Sequence, residues 1–239
     1  MSNESILYDI LSYAIKHNEY GVFDTNYTNV ITKSYQNKLF HQACIWNQVN
    51  MIHIMLQRGF NIEDGLYATV SISHTEEKTY QVPIIFECLA YGAFNVMNFL
   101  LSRGISLNVV HPNNGMTALF YAGVRLGLGN RGDFSYMDSL LSHGADVNIK
   151  NTDGQTLLHA FCKSAPLNIF LHKAKLLIDY GANPNIQDEL GNTPLHYVQA
   201  RYENYGIPKN TLYFFQNEEN PIQIDFSLYN KHGVKLCVC

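Results

Sequence analysis

Three short segments of this chain carry residue types that could do chemistry. Gly127-Leu-Gly-Asn-Arg-Gly132 spells G-x-G-x-x-G, the spacing with which a strand-to-helix turn cradles a dinucleotide pyrophosphate. His111-Pro-Asn-Asn-Gly115 sets an imidazole beside a glycine turn, an order similar to the loop of some AMP-transferring enzymes. Cys237-Val-Cys239 forms C-x-C, a pattern that can accept lipid. The elements needed to position them are missing. An apolar helical stretch, not a strand, precedes the glycine motif, so it reads as an inter-helix loop. The histidine loop lacks downstream arginines and reads as a turn rich in Pro, Asn and Gly. Leu236 stands where a C-a-a-X signal would need cysteine. No Ser/His/Asp set, Cys/His pair or metal-ligand spacing stands out among the 10 histidines and 5 cysteines. The expectation is therefore no catalytic residue, no metal and no cofactor.

Bulk properties remove further classes. A formal net charge of -4 and a pI of about 6.2 leave no basic footprint for nucleic acid. No apolar run approaches the roughly 18 residues of a membrane span. The first residues, MSNESILYDI, lack the basic start and small-residue cleavage site of a leader. A cytoplasmic chain is expected, with Cys44, Cys88 and Cys162 as small buried hydrophobes in a reducing compartment.

What repeats is larger than any motif. GISLNVVHPNNGMTALF at 104–120, GADVNIKNTDGQTLLH at 144–159 and GANPNIQDELGNTPLH at 181–196 are variants of one pattern. Glycines 59, 104, 144 and 181 close apolar helical stretches, where a left-handed C-cap favours glycine. Glycines 115, 154 and 191 open the next unit, with Thr156 and Thr193 as N-caps and Pro194 at a first helical position. The spacing between closing and opening glycine stays nearly constant while the rest varies, so the turn geometry is what must repeat. Asp225 to Leu236 aligns with Asp146 to Leu157, entering one more unit. The pattern G-A-D/N-x-N-x-x-x-x-x-G-x-T-P/L-L-H closely resembles the ankyrin repeat over about residues 35–236. That resemblance implies an all-α ankyrin-repeat solenoid of about five helix-pair repeats with projecting β-hairpins, one of them elongated. It also gives His159 and His196 a structural part, binding neighbouring backbone and tying adjacent hairpins together.

The expected organisation is a capping helix and connector at 1–34, repeats at 35–217 with an extended hairpin at 61–82, and a hairpin and repeat start at 218–239. Weaker units begin near Leu39 and near Val82. Opening glycines lie 39, 37 and 42 residues apart, longer than the family's unit. The excess is expected between paired helices, at 127–134, 166–172 and 204–209. Eleven further residues fall in the first hairpin, where Leu66, Ala68, Val70 and Ile72, and then Tyr80 and Val82, follow a period of two. This reads as a β-finger turning near residues 74–77.

Stacked repeats build recognition surfaces rather than catalytic pockets, so the chain is expected to be a non-catalytic monomer that binds a protein partner. The resemblance implies a concave face of hairpin tips and first helices, placing Asn113, Asn114, Thr152, Asp153, Glu189 and Leu190 there. The finger adds Tyr67, Thr69, Ser71, Thr79 and Tyr80. The alternative is an adaptor joining a partner to a membrane or a ubiquitin ligase through its ends. The abundance of Asn, Ile and Tyr, and of Lys over Arg, fits an AT-rich genome. With the repeat array it is similar to effectors of intracellular bacteria such as Legionella that act on host proteins, and large DNA viruses and protists fit as well.

Overall fold

A computed structural model describes residues 3–27, 31–71, 79–127, 134–205 and 224–235. They form two compact units, 1–112 and 113–239.

In the first unit, α1 (Asn3–His17) and α2 (Tyr20–Asn26) pair and pack on α3 (Lys33–Ile45) and α4 (Val49–Gln57). α5 (Ile84–Tyr91) and α6 (Phe94–Ser102) complete the stack. The inward positions, among them Leu11, Phe23, Phe40, Met51, Leu89 and Leu100, are essentially inaccessible to water. Each such side chain contributes about 1.5–3 kcal/mol on burial. Asn47 adopts a left-handed conformation (φ 56°) after α3, and its Oδ1 accepts the Val96 N–H at 3.0 Å. One residue thus ends a helix and caps the start of another. Arg58 reaches back to the Tyr27 carbonyl at 2.9 Å and to Asp24 at 3.0 Å, fastening the end of α4 to α2.

Between α4 and α5 the chain makes a short 3-10 turn (Ile62–Gly65) and then the finger. Strand β1 (Tyr67–Ser71) pairs antiparallel with β2 (Thr79–Pro83). The register sets Ala68 opposite Val82, Val70 opposite Tyr80 and Ser71 opposite Thr79. Ala68 and Val82 are buried, which is why the sequence alternates here. The expected tip at residues 74–77 lies outside the described residues.

The second unit begins with α7 (Ala118–Tyr121), which widens into a π-helical segment over residues 122–127, and continues with α8 (Ser135–Ser142). α9 (Leu157–Ser164), α10 (Leu167–Asp179) and α11 (Pro194–Tyr205) follow. Leu119, Met137, Leu140, Leu158, Phe161 and Leu177 form its core. The Arg201 guanidinium donates to the Cys162 and Ala165 carbonyls at 3.1 and 2.8 Å, satisfying the last turn of α9. Gly144 and Gly181 have φ of 88° and 87°. Ala145 N–H bonds Leu140 O, and Ala182 N–H bonds Leu177 O, the left-handed helix ending that the sequence called for.

Several boundaries differ from the expectation. The N-terminal segment holds two helices rather than one. α3 starts at Lys33, six residues before Leu39, because nothing between Thr32 and Leu39 breaks a helix. Val82 and Pro83 belong to β2, and α5 begins at Ile84. The excess at 166–172 is not a loop: from Leu167 onward it lengthens α10 at its start, with Pro166 as N-cap. The excess at Gly127 begins inside the π-helical segment, and α11 runs to Tyr205, so residues 204–205 are helix too. Residues 128–133 and 206–223 lie outside the described residues.

Candidate partner-binding surface

The hairpin turns of the second unit share one set of hydrogen bonds. At Asn151, Asp188 and Asn230, three residues before a glycine, the backbone N–H donates to the carbonyl four residues on. The distances are 2.9, 2.9 and 3.0 Å. The Oδ1 of each then accepts two further N–H groups, two and four residues ahead, at 2.9–3.0 Å. A carboxamide or carboxylate at this place consumes donors that the tight turn would otherwise leave bare. Burial pushes the Asp188 carboxyl up, but the Tyr197 hydroxyl (2.6 Å) and the Asn192 and Leu190 N–H groups outweigh it and hold it low.

Successive turns are joined tip to tip. Thr152 N–H donates to Asn114 O at 3.1 Å, Glu189 N–H to Asp153 O at 3.1 Å, and Lys231 N–H to Leu190 O at 2.9 Å. Gly154 allows this approach. Its φ is +73°, and a Cβ there would stand 2.7 Å from the Glu189 nitrogen. Deeper in the hairpins, Asn148 Oδ1 accepts Asn183 N–H at 2.8 Å, and Asn185 Oδ1 accepts Asp225 N–H at 2.8 Å.

The histidines are held as expected. Thr156 N–H donates to His159 Nδ1 at 3.1 Å, so Nε2 carries the proton and donates to the Asn192 carbonyl at 3.1 Å. Thr193, His196 and the Val234 carbonyl repeat this geometry at 3.1 and 3.1 Å. Burial lowers the His159 pKa to about 4, against smaller opposite effects of the Asn192 carbonyl and Asp188; burial lowers His196 too. Both rings are neutral struts, with no lone pair left for a metal or a substrate proton. His41 Nε2 lies 3.0 Å from Gly65 O at the base of the finger.

The surface these bonds fix is a row of side chains. Asn114, Thr152, Asp153, Glu189 and Leu190 come together on it, with Thr152, Asp153, Glu189 and Leu190 exposed. Leu190 is 51% exposed. Asn113 is exposed beside Asn114. The row continues into Lys231 and His232, also exposed, which the sequence reading had not singled out. The alignment of Asp225 to Leu236 with Asp146 to Leu157 already carried the signal, since it sets Lys231 on Thr152 and His232 on Asp153.

The finger belongs to the other unit. Tyr67 is exposed, and the strand register places positions 67, 69, 71 and 79 on one face of the ribbon. Position 80 falls on the opposite face with 68, 70 and 82, so Tyr80 separates from Tyr67, Thr69, Ser71 and Thr79. At the finger's base, Leu66, Tyr67, Pro83, Ile85, Ile105 and Val109 line an apolar cavity of about 30 Å³, room for about one water.

His111 meets the Phe86 ring edge-on at 5.2 Å. Cys44, Cys88 and Cys162 are buried thiols, and burial raises the pKa of Cys44 and Cys162. Among the described residues no group of three His, Cys, Asp or Glu is placed to hold a metal, and no helix is long and apolar enough to cross a membrane. Cys237 and Cys239 lie outside the described residues.

Comparison with known proteins points one way. The family model for ankyrin repeats, in three copies, matches residues 126–206. The ankyrin repeat protein L371 of Acanthamoeba polyphaga mimivirus is 24% identical over 227 residues, covering 82% of this chain and 26% of L371. An ankyrin repeat protein of Rickettsia felis is 36% identical over 106 residues, 41% of this chain and 43% of its own. Fowlpox virus FPV031 is 27% identical over 176 residues, 72% of this chain and 46% of its own. The chain therefore spans less than half the length of each. Among solved structures, the ankyrin repeat domain of Bcl-3, a member of the IkappaB family, aligns with a TM-score of 0.57 at 18% identity, over 78% of this chain and 76% of that one. A chain from the complex of the Bd0816 predatory endopeptidase of Bdellovibrio bacteriovorus with the immunity protein Bd3460 aligns at 0.56 and 16% identity, over 82% of this chain and 93% of its own.

Proposed function

Because this chain is built of ankyrin repeats in an all-α fold, modules that generally serve protein–protein interaction, we propose that it is a non-catalytic recognition protein that binds a partner protein. The observation that carries the reading is the tip row, where side chains of varied chemistry stand on a backbone locked from turn to turn. Thr152, Asp153, Glu189 and Leu190, with Asn113 and Asn114 beside them, offer hydroxyl, carboxylate, carboxamide and one apolar anchor. Ordering cost is small on such a frame, so contact energy converts to affinity. The finger residues Tyr67, Thr69, Ser71, Thr79 and Tyr80 form a second contact region. Tyrosine suits it because a large ring is buried at the cost of few torsions. The relatives in mimivirus, fowlpox virus and Rickettsia felis fit a chain that meets its partner, a host protein, in the host cytosol. They also fit the effector role.

Affinity capture from eukaryotic cell lysate with mass spectrometry tests this. Three folded baits are compared: the intact chain, one with residues 66–80 replaced by a short turn, and one carrying Asp153→Ala, Glu189→Ala and Leu190→Ala. A protein held by the first and lost from either altered bait supports recognition at that region. Equal retention by all three moves the contact elsewhere, and no retained protein removes the support for binding.

A further inference from the structure

α1 shows apolar side chains on two faces. Leu11, Ala14 and Ile15 are fully buried against the first unit. On a neighbouring face, about a third of a turn round the helix, Ile6, Ile10 and Tyr13 are 47%, 39% and 59% exposed, and the Tyr13 and His17 rings lie 4.2 Å apart. The spacing of 6, 10, 13 and 17 is four-three-four, the a/d seam of a two-helix pairing.

The charges beside the seam say what covers it. Asp9 and Lys16 stand seven residues apart on the same flank, both exposed, and Lys16 Nζ lies over the Trp46 ring, 5.9 Å from its centroid. Two helices packed antiparallel bring like flanks together. Asp9 of one copy then faces Lys16 of the other, twice, while Ile10 meets Tyr13 and Ile6 meets His17. A parallel pair would bring no such match. Antiparallel packing also sets the acidic first turn (Glu4) beside the basic last turn (Lys16, His17), opposing the helix dipoles favourably. An isologous two-fold contact needs a patch that is its own complement, and this face is one. Against a membrane surface, Asp9 would oppose anionic lipid, and the face lacks the basic excess such helices carry.

We propose that the outer face of α1 is a self-association surface that pairs antiparallel with α1 of a second copy through Ile6, Ile10 and Tyr13, held in register by Asp9 and Lys16. One helix face is a small contact, so the dimer is weak and concentration-dependent, in place of the monomer expected from the sequence.

Sedimentation velocity over a concentration series to the millimolar range is the test, with Asp9→Lys, Lys16→Asp and Ile10→Asp variants. All three positions are exposed, and circular dichroism checks that each variant folds. The expected result is a wild-type dimer at high concentration and loss of it in every variant alone. An equimolar mixture of Asp9→Lys and Lys16→Asp regains the dimer, because an all-basic flank then meets an all-acidic one. A wild type that stays monomeric throughout overturns the proposal. So do single swaps that dimerise like the wild type, a mixture that stays monomeric, and flotation with phosphatidylserine vesicles by a chain that does not self-associate.

Discussion

Lowering the pH from 8 to 5 is expected to remove about 2 kcal/mol from the second unit through His159 alone. The ring is fully buried, and burial takes its pKa from 6.5 to about 4. Since the folded value lies below the unfolded one, the unfolded chain takes the proton first. Stability is complete above about pH 6.5, falls as pH drops through the interval, and levels off below about 4. At about 1.4 kcal/mol per unit the full loss is about 3 kcal/mol, of which about 2 is reached by pH 5. His159→Gln removes the titration. At pH 8 the variant is less stable by about 1–3 kcal/mol, because the Thr156 N–H and Asn192 carbonyl lose a buried partner. Urea unfolding followed by far-ultraviolet circular dichroism gives the gap between the two proteins at each pH. His196 titrates in both proteins and cancels, and Asp188, held below its usual value, stays ionised over this range. The gap is expected to shrink by about 2 kcal/mol at pH 5; a gap unchanged between pH 8 and pH 5 would refute the reasoning.

Gly154→Ala places a Cβ against the Glu189 nitrogen at a positive φ. It should cost more than about 2 kcal/mol, whereas Gly181→Ala, with open space around it, should cost about 1 kcal/mol; thermal unfolding ranks the two. Asn151→Ala leaves the Asp153 and Gln155 N–H groups unpaired and should cost about 1–3 kcal/mol, while Asn151→Asp retains an acceptor and stays within about 1 kcal/mol in the same urea assay. Leu158→Ala empties a fully buried site and should cost about 2–5 kcal/mol, read from the urea midpoint at unchanged slope.

Glycines at fixed distances, Thr156 and Thr193 before apolar runs and His159 and His196 three residues later made the hairpins and their ties legible in the sequence. These turns are held by near-neighbour hydrogen bonds whose donors recur at fixed offsets. The column of Asn151, Asp188 and Asn230 stands three residues before glycines 154, 191 and 233, but its change of residue type hides it as a pattern. The lengths of α3 and α10 were not legible. A helix continues until something stops it, and neither segment contains a stop, so the extra residues extend the helix instead of forming a loop. Leu157 packs where a Cβ on Gly123, inside the π-helical segment, would stand 2.8 Å away, a contact between repeats that no local pattern encodes. Of the candidate surface, the tip positions followed from the repeat alignment. The division of the finger into two faces needed the strand register.

Hydrogen–deuterium exchange of the chain with and without its captured partner tests the central claim most directly. The account predicts protection on binding at 113–114, 152–153, 189–190 and 231–232, with or without the finger strands. Protection confined to helices remote from the turns, with the tips exchanging as in the free chain, would contradict it.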